Sequence, residues 1–393
     1  MELHVQTGIL FLLIAAVVAM LTRRLRLPYS VGLVVAGIVL ASLPFAPKVV
    51  LSKDLIFMAL LPPLLFEAAF YIPWDRLRRN SLLIIVLATL GVMLSASVTA
   101  AGMHYLMHWQ WMGAVVFGVL IAATDPVSVI ATFKEAKAQG RLLVLIEAES
   151  LLNDGTAAVA FGVAVALASG QQLTPVEITG MLLKTIGGGI LCGGAVALAA
   201  LLLTGRTNDH LVEITFTTVA AYGSFLLADH FGFSGVLATI TAGLVMGNFT
   251  AFGRISDQGR ESAQAFWEYA AFVANSLIFL LIGMHEALQN FAAIWLSAVA
   301  AIIFVMLGRA VAIYPCCLLF SGSSLRVAAK HQHVLFWGGL RGALALALAL
   351  GLPPEVPLRE QIITLSFAVV AFSIFVQGLT MAPFLRRMGE IPR

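Results

Sequence analysis

Apolar runs of 15 to 30 residues follow one another along almost the whole chain, separated by short polar connections. Within the runs, apolar positions neither alternate nor form a single stripe. The pattern therefore predicts helices that are apolar all round and suited to a bilayer, which takes about 20 such residues to cross. Thirteen spans are predicted, near residues 8–22, 29–43, 54–70, 80–107, 112–133, 141–169, 175–204, 210–229, 233–250, 263–284, 292–319, 331–352 and 361–385. Several are short or interrupted by glycine and proline. The brief connections leave no room for a soluble unit, which predicts one all-α transmembrane domain over residues 1–393 with no soluble regulatory domain. Arg23, Arg24 and Arg26 follow the first run, the reverse of a cleaved signal peptide, so a retained span is expected there.

Composition agrees with this pattern. The chain is 60% hydrophobic and 11% charged, whereas soluble domains are roughly a quarter charged. That excludes a soluble enzyme, a disordered chain and a nucleic-acid binder. The net charge of +3 is too balanced to point to an anionic partner. Cys192, Cys316 and Cys317 all lie in apolar segments and are expected to be small buried hydrophobes. They form no disulfide framework or zinc spacing, and no phosphate-binding glycine loop is present, so no cofactor is expected.

The position of the charges is more informative than their number. Alternate connections carry Arg23, Arg24, Arg26, then Arg76, Arg78, Arg79, then Lys134, Lys137, Arg141, and later Arg206, Arg254, Arg260, Arg326, Lys330, Arg386, Arg387 and Arg393. The opposite connections hold only Lys48, Lys53 and Arg359. Positive charge stays on the cytoplasmic side, which predicts an external N-terminus and a cytoplasmic C-terminus.

Ionisable residues at membrane depth are costly and point first to function. Glu67, Asp125, Glu149, Asp154, Arg309 and Arg341 fall inside predicted spans. At about 1.5 Å per residue, Glu67, Asp125 and Asp154 lie roughly 13 residues into their spans, Arg341 about 10 and Arg309 about 17, so all five are expected near the midplane. Span 5 carries Thr124-Asp125-Pro126 at its centre, and proline predicts an opening of the helix there. Irregular backbone at this depth is tolerated where it lines a cavity, and freed carbonyls can face a cation. In span 6, Ser150 and Asp154 are four residues apart on one helix face, with Asn153 beside them. These hard oxygen ligands suit a small alkali cation rather than a soft metal. The Gly338-Gly339-Leu340-Arg341-Gly342 stretch predicts a second interruption in span 12. Two interrupted helices, seven spans apart and so opposite in direction, predict an inverted-repeat transporter, with spans 1–6 mirroring 8–13 and span 7 as linker.

Other polar residues have plainer readings. Glu149 and Arg309 are expected to form a structural ion pair. Arg341 either neutralises carboxylates and caps exposed carbonyls or takes part in gating. Glu67 either ligates a cation, directly or through water, or is a structural charge. Glu147 is expected in an entry funnel, and Glu213 and Asp229 at solvated span ends. Seven histidines (His104, His108, His210, His230, His285, His331 and His333) lie at or near span ends, where interfacial solvation accounts for them. Gly232-Phe233-Ser234-Gly235 matches a short motif of intramembrane serine proteases, but tight helix packing by Gly and Ser explains it better.

Together, Ala123-Thr124-Asp125-Pro126-Val127, Glu149-Ser150-Leu151-Leu152-Asn153-Asp154 and Gly338-Gly339-Leu340-Arg341-Gly342 resemble signature segments of the cation:proton antiporters of the NhaP and eukaryotic sodium–proton exchanger type. Leu61-Pro62-Pro63-Leu64-Leu65-Phe66-Glu67 and Ser234-Gly235-Val236-Leu237-Ala238 are similar to further family segments. The resemblance implies an integral plasma (inner) membrane antiporter exchanging Na⁺ or Li⁺ for H⁺, embedded in lipid and homodimeric. It implies that Asp154 alternately binds cation and proton, with Ser150, Thr124 and Glu67 completing the shell and Asp125 holding the opened helix. Asn153 stands where electrogenic relatives carry a second aspartate, which implies electroneutral exchange. Potassium–proton exchange at the same site, a cation channel, or a protease using Ser234 are the competing expectations.

Overall fold

The computed structural model describes residues 2–25, 27–44, 47, 51–136, 140–206, 209–249, 257–287 and 291–392, and these residues are helical with short connections and no strand. Arg26, Lys48, Lys137, Arg254 and Arg393, which entered the orientation argument, lie outside the described residues.

The chain opens with α1 (Glu2–Leu25) and α2 (Tyr29–Ala41). A π-helical turn (Leu55–Leu60) leads into α3 (Leu61–Tyr71). Next, α4 (Trp74–Val86) and α5 (Val92–Met107) form one continuous rod through a π turn at Leu87–Gly91. The short α6 (Trp111–Leu120) and α7 (Val127–Glu135) flank a non-helical stretch. Long helices follow: α8 (Arg141–Ala168), α9 (Pro175–Thr204) and α10 (His210–His230), then α11 (Gly235–Phe249), α12 (Asp257–Glu286) and α13 (Phe291–Leu318). A second broken pair is α14 (Ala329–Trp337) and α15 (Ala343–Leu350). The chain closes with α16 (Arg359–Phe372) and α17 (Leu379–Met388), continuous through a π turn at Ser373–Gly378.

Among the described residues, eight helices are long and apolar enough to cross a membrane, and four shorter apolar helices accompany them. Large apolar side chains such as Ile9, Leu13 and Met20 of α1 and Leu183 and Leu191 of α9 face outward, the surface expected of a protein solvated by lipid. Helix ends differ from the expected spans where charge extends a helix beyond its apolar part. The rod that ends at Met107 begins at Trp74 rather than near 80, because its first turns carry exposed Arg76, Arg78 and Arg79. In the same way, α12 begins at Asp257 rather than near 263.

Without a hydrophobic drive between helices in lipid, close backbone contact holds a bundle together, and small residues permit it. The α2–α12 crossing is reciprocal. A Cβ at Gly37 would run into the Leu280 carbonyl, and one at Gly283 into the Val34 carbonyl. Gly189 and Gly193 of α9 pack closely in the same way, a Cβ at Gly189 meeting the Ser234 carbonyl just before α11 and one at Gly193 the Ala238 carbonyl within it. Ser234 also caps α11, its hydroxyl accepting from the Leu237 amide at 3.2 Å. That is a structural task for the residue whose motif had raised the protease alternative.

Gly283→Ala is expected to lower stability by about 1–3 kcal/mol, as overpacking does. Gly187→Ala, with nothing near its Cβ position, should be neutral. Thermal melting of the detergent-solubilised protein measures both.

Candidate functional site

The two breaks lie against each other. Between α6 and α7 the chain leaves helical geometry over residues 121–126, and between α14 and α15 over 338–342. The Asp125 amide donates to the Leu340 carbonyl at 2.8 Å, so one irregular stretch satisfies the other. Glycine makes the approach possible. A Cβ at Gly342 would collide with the Asp125 carboxylate, and one at Gly339 with the Arg309 guanidinium.

Each helix end at a break leaves backbone groups without helical partners and a partial charge, positive at N-termini and negative at C-termini. The side chains at the crossing answer these ends. The Asp125 carboxylate accepts from the Val127 amide at 3.1 Å and also faces the Ala343 amide, so one anion serves the N-termini of α7 and α15. Arg341 donates to the Ala122 and Ala123 carbonyls at 2.7 and 3.1 Å, just past the C-terminus of α6. The C-terminal carbonyls of α14 are met from outside the break. Arg309 donates to Leu335 at 2.9 Å, and Gln377 to Trp337 at 3.0 Å. Gln377 sits in the π turn before α17, which aims it at that carbonyl.

Asp154 projects from α8 onto this crossing. The Thr124 amide faces its carboxylate, while its Oδ1 is buried with no hydrogen-bond partner. One helical turn earlier, Ser150 Oγ donates to the Thr124 carbonyl at 2.7 Å and accepts from the Thr124 hydroxyl at 3.3 Å. Carboxylate, hydroxyl and carbonyl oxygens thus converge beside a cavity of about 460 Å³, room for on the order of a dozen waters. Such a set can hold a small hard cation or a proton.

The residues expected at the site fall into two groups. Thr124, Asp125, Ser150, Asp154 and Glu67 line the cavity. Glu149, Asn153, Arg309 and Arg341 sit behind it, each under 5% exposed. Arg309 grips Glu149 through two bonds, at 2.7 and 3.1 Å. Asn153 turns to this pair, its amide 3.4 Å from Glu149 Oε1, and does not reach the cavity. Glu67 lies on the facing wall, 3.6 Å from Lys134 Nζ. Glu147 lines the same cavity.

Reasoning from sequence missed Lys134, Glu268 and Asn275, which also line the cavity. The α12 residues had a signal. Glu268, Ala271, Phe272 and Asn275 follow i, i+3, i+4, i+7 spacing and so share one helix face, which carries two polar groups inside an apolar run. Lys134 was counted only as a topology marker. Among the histidines, His104 Nδ1 donates to the Trp109 carbonyl at 2.7 Å and its ring stacks on Trp111, and His333 pairs with Tyr314 at 2.8 Å. Among the described histidine side chains, none lines the cavity.

Residues 9–387 match the family described as "Sodium/hydrogen exchanger, transmembrane". The chain is 39% identical over 371 residues to the Na(+)/H(+) antiporter ApNhaP of Aphanothece halophytica, covering 93% of this chain and 70% of that protein. It is 33% identical over 398 residues to the Na(+)/H(+) antiporter NhaH of Halobacillus aidingensis, covering 97% of each. In fold it resembles the sodium proton antiporter MjNhaP1 from Methanocaldococcus jannaschii at pH 8, with a TM-score of 0.75 at 20% identity over 99% of this chain and 98% of that one.

Removing one partner of a buried ion pair strands the other charge, at roughly 3–5 kcal/mol. Arg309→Met alone should therefore melt well below wild type, and adding Glu149→Leu should recover part of the loss. Equal melting of single and double variants would contradict a coupled pair.

Proposed function

We propose that this chain, which belongs to the transmembrane sodium/hydrogen exchanger family, is a secondary antiporter that exchanges Na⁺ for H⁺ and carries both on Asp154. The observation that carries this reading is the unpartnered Asp154 Oδ1 beside Ser150 and the Thr124 backbone, where two broken helices cross at a cavity. In this reading Asp154 Oδ1, Ser150 Oγ and the Thr124 carbonyl bind the cation, and Glu67 contributes through water.

Coupling follows from the cost of a bare charge at membrane depth. Asp154 crosses the barrier only when it is protonated or cation-loaded, so each passage in one direction with Na⁺ requires a return with H⁺. The gradients of the two ions supply the driving force, and no ATP site is needed. Asp125 stays at its post as the counter-charge of two helix ends and does not carry cargo. Asn153 is neutral and faces the Glu149–Arg309 pair, which supports one cation against one proton and hence electroneutral exchange. The cavity runs toward exposed Arg23 and Lys134. In this reading those residues lie on the cytoplasmic side, the cavity opens inward, and the opposite opening completes an alternating-access cycle. A homodimer in the plasma (inner) membrane, N-terminus outside, is the assembly and setting we assign to it.

The test uses proteoliposomes loaded with a pH dye under an imposed proton gradient. Adding Na⁺ or Li⁺ should alkalinise the lumen at a rate unaffected by a potassium–valinomycin clamp. Asp154→Asn should fall to the empty-liposome background, and Ser150→Ala should raise the half-saturating Na⁺ concentration roughly tenfold, the equivalent of one lost hydrogen-bond-strength contact. A signal that persists in Asp154→Asn overturns the assigned carrier. A clamp-sensitive rate overturns electroneutrality, and a response to K⁺ alone replaces sodium with potassium.

A further inference from the structure

The mouth of the cavity carries charges of which the exchange mechanism above uses only Glu67. Glu67 on α3, Glu147 on α8 and Glu268 on α12 line it, together with the basic Arg23 of α1 and Lys134 of α7. Lys134 is the one that bridges. It stands on the half-helix just beyond the Thr124–Pro126 break, and its Nζ crosses the cavity to within 3.6 Å of Glu67 Oε1 on the facing wall. The same ammonium lies 5.6 Å from the centre of the Tyr71 ring, one turn further along α3. Glu147 also feels its field, and Tyr71 in turn faces Glu268.

This placement gives Lys134 a particular relation to an incoming ion. A lysine ammonium and a sodium ion are both compact monovalent cations that seek hard oxygen, and both can use Glu67. The Lys134 side chain is 57% exposed against 17% for Glu67, and their 3.6 Å separation is longer than a direct charge-assisted hydrogen bond. The ammonium is therefore displaced readily, and its long stem lets it swing aside without moving a helix. Being covalently attached, it is present at every turnover and cannot be depleted.

We propose that Lys134 is a tethered competitor for the transported cation: it occupies Glu67 in the acidic vestibule until Na⁺ displaces it, and so sets the cation concentration at which the exchanger works. The inference rests on the reading of Glu67 and Asp154 as the cation path, and it adds a residue that tunes affinity from outside the binding shell.

The experiment compares wild type with Lys134→Met, which keeps the stem against Tyr71 but removes the charge, and with Lys134→Arg, which keeps the charge. Half-saturating Na⁺ for exchange should fall roughly three- to tenfold in Lys134→Met, as expected when a nearby like charge is removed, with maximal rate little changed, while Lys134→Arg stays near wild type. Adding choline chloride should shrink the difference, because salt screens it, and the shift should be smaller in a Glu67→Gln background. A purely structural role would lower the rate or leave affinity alone. Binding of radioactive sodium to the detergent-solubilised proteins gives the same comparison without transport, so it reads Lys134 even if exchange itself is not observed. Unchanged or weaker sodium affinity in Lys134→Met, or Lys134→Arg behaving like Lys134→Met, overturns the proposal. Absence of exchange in wild type overturns the function proposed above instead.

Discussion

Everything at the centre of this protein depends on two helices that stop in the same place. A helix interrupted inside a membrane exposes amides on one side of the gap and carbonyls on the other, with no water to receive them, and each unsatisfied group costs several kcal/mol. Here one carboxylate, Asp125, serves the N-termini of both downstream halves, and Arg341, Arg309 and Gln377 serve the carbonyls of the upstream halves. The breaks are stable only as a pair. Asp125 N–H bonded to Leu340 O joins them directly, and glycine at 339 and 342 leaves the space that this joint requires.

The chemistry at Asp154 follows from that compensation. Once the other ends are answered, the Thr124 segment is held open beside α8, where its carbonyl meets Ser150 and its amide meets Asp154. Asp154 keeps one oxygen unpartnered beside the cavity. Its neighbours are fixed in different ways. Asp125 is committed to backbone, and Glu149 is committed to Arg309. That leaves one carboxylate at the crossing with capacity for a mobile positive ion, which is the condition for exchanging one cation for one proton on a single group. Glu67, Glu268 and Lys134 line the same cavity, and in the proposed mechanism they govern what approaches Asp154.

Much of this was legible in the residues. Proline 126 and the glycine run at 338–342 mark the breaks because their effect on a helix is local, and Ser150 and Asp154 are placed on one face by helix geometry alone. The family was visible in the same segments. Spatial division was not legible. Asn153 lies next to Asp154 in sequence and had been grouped with the cation ligands, yet a helix turns adjacent side chains about 100° apart, and Asn153 faces the Glu149–Arg309 pair. Glu67, expected at one depth with Asp154, stands across the cavity with Lys134 as partner, because depth along a helix says nothing about which wall it forms. Of the two roles left open for Arg341, its contacts are those of a carbonyl cap. Gln377 was invisible because only the π turn before α17 brings it to Trp337. The charged first turns of α4 and α12 were missed because the apolar pattern marks the lipid-facing part of a helix and not its hydrogen-bonded end.

The central claim is that cation and proton compete for the same carboxylate. The most direct measurement is proton release on sodium binding, with NaCl titrated into purified, weakly buffered protein and the liberated protons counted against bound sodium. The account predicts one proton released per sodium bound where Asp154 is protonated beforehand, and none from Asp154→Asn. Sodium binding without proton release, or release of two protons per sodium, would contradict it.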